Sequence, residues 1–253
     1  MEVKQSSKEI VRKRITHRNV TYLFQWNRTN HRSLISDPSL HDLASPLWNF
    51  LERVCKDEIP HHYFLRDDFK RASAMRLSNT SKSAEASLTY SLAKESLIKP
   101  ESYSELLKLV RKVVSSSSSH GSVLSYLLNF DPYMVASEVP VYSEDLKLTG
   151  HIDLVRLRSD HKVQVLDFKP DLRDANLVLA IPQVAAYGIL LNGLIPSADN
   201  QIECVVFNTR ESISFRPDLI KAIGYLGNQL FTSGNSDKKM LQHYQTTLDS
   251  LLR

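Results

Sequence analysis

The stretch LTGHIDLVRLRSDHKVQVLDFKP, residues 148–170, constrains the fold more than any other part of the chain. Apolar and polar residues alternate in both halves, and RSDH separates them, which predicts two β-strands joined as a hairpin. Each strand carries a carboxylate near one end, Asp153 in the first and Asp167 in the second. Pairing about Ser159 and Asp160 sets residue i opposite residue ~319 − i, so the two carboxylates are expected within a few ångströms of each other.

Two carboxylates at this separation repel each other and raise one pKa unless a cation neutralises them. Mg²⁺ and Mn²⁺ suit such a pair because both are hard ions that take oxygen ligands and keep bound water. Lys169 follows Asp167 by two residues and therefore points to the same face of the sheet. Its ammonium can stabilise charge on a phosphate or orient a water molecule. Gly150 leaves room for a bulge or a close approach. In the alternative interpretation, Asp153 and Asp167 face solvent at the strand ends and Lys169 forms a salt bridge with them.

The rest of the pattern predicts an α/β fold, with a mixed β-sheet flanked by helices and a mainly helical region before it. We expect a basic segment over residues 1–36, a helical region over 37–130 and the sheet-bearing core over 131–253, all forming one compact unit. One predicted helix begins at Asp37–Pro38, and an amphipathic helix is predicted near the end, over 237–253.

The first 36 residues hold most of the excess positive charge, with eight Lys or Arg against two Glu. Such a segment is typical of a phosphate-binding arm, and the alternative is a solvated leader. Aromatic residues within it either stack on bases or belong to the core. The candidate nucleic-acid-binding residues are Arg12, Lys13, Arg14 and Arg18, and the aromatic residues are Tyr22, Phe24 and Trp26.

Composition excludes several classes of protein. The two cysteines, Cys55 and Cys204, lie far apart and form no CxxC pair, so we expect neither a zinc knuckle nor an iron–sulfur cluster. The chain has no apolar run of ~18 residues and no apolar signal core, which predicts an intracellular protein, cytoplasmic or nucleoid-associated, without a membrane partner. Targeting to an organelle stays open.

Three short motifs resemble those of the RecB-like branch of the PD-(D/E)XK nuclease superfamily. They are GHID (150–153), DFK (167–169) and QVAAY (183–187), and their order and spacing agree with the family. The branch includes RecB and AddB nuclease domains and CRISPR-associated exonucleases. The resemblance implies a restriction-endonuclease-like core and metal-dependent hydrolysis of DNA, on single strands or free ends, in repair, recombination or replication.

The resemblance also implies roles for individual residues. Asp153, Asp167 and the backbone carbonyl of Phe168 would bind Mg²⁺ or Mn²⁺, and Lys169 would act on the attacking water or the scissile phosphate. Gln183 and Tyr187 lie four residues apart on one helical face and would sit beside Lys169. In the alternative interpretation, Gln183 and Tyr187 belong to a partly exposed helix face that only packs on the sheet.

Two further metal ligands are suggested by the resemblance. Glu138 matches an acidic residue that many members place on the preceding strand, and otherwise is a strand-edge glutamate. Many members also use a histidine from an N-terminal helix, for which His41 is the candidate, with His61 and His62 as competitors.

The chain contains no GxxxxGK[ST] motif, so strand separation by ATP would need a partner such as a helicase. The competing hypothesis for function is a non-catalytic nuclease-fold subunit that binds DNA or scaffolds a DNA-processing complex.

Overall fold

The computed structural model describes residues 9–75, 99–100, 104–113, 119–170, 176–195 and 201–217. The amphipathic helix predicted over residues 237–253 lies outside these ranges. Within them, nine strands form one mixed β-sheet with helices packed on both faces. This arrangement confirms the predicted α/β fold class.

The sheet has antiparallel and parallel parts. Its strands are β1 (Ile10–His17), β2 (Val20–Asn27), β3 (Lys70–Arg71), β4 (Lys99–Pro100), β5 (Met134–Ser143), β6 (Leu148–Arg158), β7 (Lys162–Phe168), β8 (Ile202–Phe207) and β9 (Ser212–Phe215). They lie in the order β1-β2-β5-β6-β7-β8-β9-β4, with β3 beside β6. The β7–β8 and β3–β6 pairs are parallel and the other pairs antiparallel.

Five described α-helices cover the sheet: α1 (Arg28–Ile35), α2 (His41–Cys55), α3 (Ser104–Val113), α4 (His120–Phe130) and α5 (Ile181–Leu194). Helix α2 begins later than Asp37–Pro38, because the Asp37 carboxylate instead accepts hydrogen bonds from the backbone and hydroxyl of Ser39 in the preceding turn. Helix α5 has Pro182 in its first turn, where a missing N–H costs no hydrogen bond.

The two faces of the sheet bury separate apolar clusters. Residues of α2 and α5, such as Leu47 and Val184, pack on one face, and residues of α3 and α4, such as Val110 and Leu124, pack on the other. The central strand β8 is buried at all six positions because helices cover both of its sides. These layers pack against the middle of β5 and β6 and the end of β7.

The basic segment predicted over residues 1–36 contains two strands of the sheet. Residues 10–27 form the β1–β2 hairpin, which joins the sheet through the pairs Gln25–Ser137 and Trp26–Ala136. Burial alternates along β1, so Val11 and Ile15 face the core while Arg12 and Arg14 stay exposed. The number of Lys and Arg residues suggested a phosphate-binding arm, because a count of charges ignores the alternation of exposed and buried positions along a strand.

Candidate active site

Asp153 and Asp167 lie where β6 and β7 pair, as the hairpin predicted, but the register differs by one residue. Leu154 pairs with Leu166, and Arg158 closes the hairpin opposite Lys162. The turn holds three residues, with His161 in the left-handed region at φ 60°, where two had been expected. Asp153 Oδ2 accepts a hydrogen bond of 2.9 Å from the Phe168 backbone N–H, which fixes this carboxylate, in the middle of β6, beside the end of β7.

Three side chains converge into a group with metal-ligand geometry. His120, Glu138 and Asp153 each offer one ligand atom, and these atoms lie within 4.8 Å of one another. His120 Nε2 is 3.3 Å from Asp153 Oδ2. One imidazole and two carboxylates form a donor set that a divalent cation with nitrogen and oxygen ligands can accept. The residues present therefore fit a metal ion.

Glu138 reaches this group through an unusual backbone conformation. It lies in β5 between the pairs Ser137–Leu154 and Val139–Ile152, which places it across from Asp153. Its φ angle of 51° is in the left-handed region, which non-glycine residues seldom adopt inside a strand. Strained conformations of this kind persist where the surrounding structure holds them, and they occur often at functional sites.

The carboxylates of the site are held together against their mutual repulsion. Burial, followed by the charge of Asp153, raises the pKa of Glu138 to about 7. Burial and the charge of Asp153 also raise the pKa of Asp167, against the opposing effect of Lys169. The pKa of His120 is raised by its hydrogen bond with Asp153. This is the electrostatic state that a bound cation relieves.

Lys169, Gln183 and Tyr187 form a network around Asp167. Lys169 Nζ lies 2.6 Å from Asp167 Oδ2, and the Gln183 amide lies 3.3 Å from Asp167 Oδ1. Lys169 also donates to Gln183 Oε1 at 3.4 Å, while Gln183 Nε2 lies 3.0 Å from the Tyr187 hydroxyl. Gln183 thus fixes both Asp167 and Lys169, which brings the four predicted residues together on one side of the sheet.

Gly150 permits this arrangement by its lack of a side chain. A Cβ at this position would lie 2.4 Å from Cε1 and 2.8 Å from Cδ1 of Tyr187. The ring of Tyr187 therefore packs directly on the β6 backbone, which is the close approach that the sequence suggested. Burial raises the pKa of Tyr187 well above its usual range, so its hydroxyl stays protonated.

The remaining predicted ligands have different positions. Phe168 follows Asp167, and its ring packs on Phe207 with centroids 5.3 Å apart, while the role of its carbonyl as a ligand stays a prediction. His41 does not join the cluster. Leu43, Ala44 and Leu47 occupy the core side of α2, so His41 is exposed and its Nδ1 lies 3.4 Å from the Ile35 carbonyl.

The histidine of the cluster is His120, which sequence reasoning missed. It lies in SSSSSHGS, a stretch dominated by serine, and opens α4 directly after the N-cap Ser119. A histidine in the first turn of a helix that leads into the Glu138 strand was the available signal. The serine run concealed it.

The four candidate nucleic-acid-binding residues divide into two pairs. Lys13 donates to the Val54 and Cys55 carbonyls at the end of α2 and pairs with Asp57. Arg18 donates to the carbonyls of Phe64, Arg66 and Phe69. These two therefore fasten the hairpin to the residues after α2, while Arg12 and Arg14 are exposed on β1.

A cleft of about 220 Å³ opens beside the metal-ligand group, and the β1–β2 hairpin forms one of its walls. Tyr22 lies flat on His151 with ring centroids 3.5 Å apart, and His17 lies flat on Phe64 at 4.0 Å. Phe24 and Trp26 are buried in the core, so Tyr22 is the aromatic residue of the three that reaches the cleft. We call this surface of Tyr22, Phe64, His17 and His151 the aromatic wall.

The histidines of the wall form a hydrogen-bonded chain. His151 Nε2 lies 3.0 Å from His17 Nδ1, His17 Nε2 lies 2.9 Å from His61 Nδ1, and His61 Nε2 lies 3.0 Å from Asp57 Oδ1. Because an ionised carboxylate only accepts, His61 Nε2 donates to Asp57. Burial lowers the pKa of His17 to about 4 and lowers that of His151, so both rings are neutral near pH 7.

Comparison with known proteins gives one family. The family model of the PD-(D/E)XK nuclease superfamily matches residues 41–252. A search of curated proteins gave no match. The matched range contains the metal-ligand group, Lys169, Gln183 and Tyr187, whereas the β1–β2 hairpin precedes it.

The described helices were also compared with the requirements of a bilayer. None of them has the length and apolar character that crossing a membrane demands.

Proposed function

Because the chain belongs to the PD-(D/E)XK nuclease superfamily, we propose that it is a metal-dependent nuclease that hydrolyses phosphodiester bonds of DNA. The observation that carries the proposal is the convergence of His120, Glu138 and Asp153 within 4.8 Å, next to the paired Asp167 and Lys169. We further propose that the substrate is a single strand or a free end, handled in repair, recombination or replication. The three RecB-like motifs support that finer assignment.

In this proposal, His120, Glu138 and Asp153 hold Mg²⁺ or Mn²⁺, and Asp167 and the Phe168 carbonyl complete the site. A bound divalent ion supplies Lewis-acid stabilisation of phosphate charge and a more acidic water. Lys169 stabilises the negative charge that develops on the phosphate, because its ammonium is held in place by Asp167 and Gln183. Tyr187 orients Gln183 and thereby Lys169.

The exposed Arg12 and Arg14 contribute to binding by attracting phosphates, and this contribution weakens as the salt concentration rises. Lys13 and Arg18 act indirectly, since their hydrogen bonds hold the hairpin beside the cleft.

A cleavage assay tests the proposal. End-labelled single-stranded and duplex DNA are incubated with the protein in Mg²⁺, in Mn²⁺ or in EDTA, beside the Asp167→Ala and Lys169→Ala variants. We expect metal-dependent cleavage, its loss in Asp167→Ala, and a decrease of about 10²–10³-fold or more in Lys169→Ala, the size expected for removing one transition-state donor. The labelled products show whether cuts start from an end.

The matched control is Lys56→Ala, which removes one ammonium from the exposed end of α2, where Lys56 pairs with Glu52. It should cleave like the wild type. Equal activity of the Lys169→Ala variant would refute the site. DNA binding without cleavage in either metal would favour the alternative, a non-catalytic DNA-binding subunit.

A further inference from the structure

Arg71 is a half-buried cation without a partner in the cleft. It ends β3, which pairs with the start of β6 through Arg71 and Thr149. Among the described residues that line the cleft, it is the one Arg or Lys. No hydrogen bond or ion pair joins its guanidinium to the part of the chain that the structure describes, whereas Arg18, Arg28 and Arg156 all have oxygen partners.

The wall around Arg71 offers no negative charge to pair with it. His17, Tyr22 and His151 are its electrostatic neighbours there, and the charge of Arg71 helps to keep the pKa values of both histidines low. All three side chains are neutral near pH 7. Partial burial of an unpaired charge is unfavourable, so such a guanidinium is suited to an anion from outside the chain.

We propose that Arg71 binds a phosphate of the substrate next to the phosphate that is hydrolysed. The choice of anion rests on the proposed function. A guanidinium presents a planar fork of N–H donors that matches two phosphate oxygens, and it keeps its charge at every physiological pH. The metal-ligand group and Arg71 line the same cleft, so a strand whose scissile phosphate lies at the metal-ligand group can place a neighbouring phosphate at Arg71.

The aromatic wall suits the unit between these phosphates. Tyr22 and His151 present neutral ring surface to the cleft, which can contact a sugar or an unpaired base without competing for charge. The cleft, at about 220 Å³, is smaller than pockets that enclose a drug-sized ligand. In this proposal the cleft takes one unpaired nucleotide unit of the strand.

The test is a binding measurement that requires no cleavage. Fluorescence anisotropy of a labelled single-stranded oligonucleotide is recorded in EDTA with the full-length protein, its Arg71→Gln and Arg71→Lys variants, and Lys108→Gln. Lys108 is exposed on α3, and its replacement removes the same charge from a position that does not line the cleft. Melting temperatures establish that each variant is folded.

We expect Arg71→Gln to weaken binding about tenfold and to reduce the slope of log K against log salt by ~0.7, the value for one phosphate contact on a single strand. Arg71→Lys should bind with intermediate affinity because it keeps the charge and loses the fork. Lys108→Gln should stay within about twofold of the wild type. Binding by Arg71→Gln within the same twofold range, with an unchanged salt slope, would overturn the proposal.

Oligonucleotides with a 5′-phosphate, a 5′-hydroxyl or a 3′-phosphate separate the two sources of the bound phosphate. Equal loss of affinity for all three assigns Arg71 to an internal phosphate, and a loss confined to the 5′-phosphate or to the 3′-phosphate oligonucleotide assigns it to that terminal phosphate. Because the assay contains no metal, its result is independent of hydrolysis. A protein that binds through Arg71 and never cleaves would refute the proposed nuclease activity, and Arg71 would remain a phosphate-binding residue.

Discussion

The two sides of the cleft treat their buried titratable groups in opposite ways. On the carboxylate side, burial and then the charge of Asp153 raise the pKa values of Glu138 and Asp167. On the histidine side, His151, His17 and His61 satisfy one another in a chain that ends at Asp57. The carboxylate side carries negative charge that a bound cation would neutralise, whereas the histidine chain has its hydrogen bonds within the protein.

The largest expected change in the free energy of unfolding comes from metal binding on the carboxylate side. Adding Mn²⁺ or Mg²⁺ should raise the free energy of unfolding, by about 2.7 kcal/mol at a hundred times Kd, because the ion binds only the folded protein. Asp153→Asn should abolish most of this gain, since it removes a ligand charge. Thermal denaturation with and without metal measures it.

A variant of the histidine side makes that comparison sharper. His61→Gln should lower the melting temperature but keep the metal-induced increase, because His61 contacts His17 and Asp57 and lies outside the metal-ligand group. A loss of the metal response in this variant would show that the two sides are coupled.

Lowering the pH should change the stability contributions of the two sides in opposite directions. Glu138 has a folded-state pKa of about 7 against a usual 4.5, so the folded protein binds more protons between these values and this contribution to stability rises as pH falls from 7 to 4.5. His17 has a folded-state pKa of about 4 against 6.5, so the unfolded chain binds more protons and stability falls from pH 6.5 to 4.

Each such proton changes the free energy of unfolding by at most ~1.4 kcal/mol per pH unit. Glu138→Gln should therefore make the loss of stability between pH 6.5 and 5 steeper than in the wild type, and His17→Gln should make it shallower. Urea denaturation in EDTA at both pH values measures the slopes. If the free energy of unfolding changed equally with pH in both variants and the wild type, the opposite effects expected for Glu138 and His17 would be contradicted.

The smallest effect is expected at the exposed end of the histidine chain. Asp57→Asn should change the free energy of unfolding by less than ~1 kcal/mol, because the ion pairs of a mostly exposed carboxylate are weak. Asn is compatible with the φ angle of 67° at this position, so the change tests charge alone. A loss well above this value in urea denaturation would show that the wall depends on the Asp57 charge.

Local patterns in the sequence were sufficient for the centre of the fold. Alternation predicted the β6–β7 hairpin, and the spacing of Asp153, Asp167 and Lys169 predicted one shared face of the sheet, because side-chain direction in a strand follows from position. The family motifs placed Gln183 and Tyr187 beside Lys169. The register was wrong by one residue because the turn length depends on the backbone angle of His161.

The sequence by itself determined which strands and which helix carry the motifs GHID, DFK and QVAAY, since each motif spans only a few neighbouring residues. Only the tertiary structure decided that His120, and not His41, joins Glu138 and Asp153, and that His17 meets His151 across 134 residues of chain. It also decided that the basic N-terminal residues form a sheet edge. Contacts between distant segments depend on how the helices pack on the sheet, and local patterns of charge or hydrophobicity do not predict that packing.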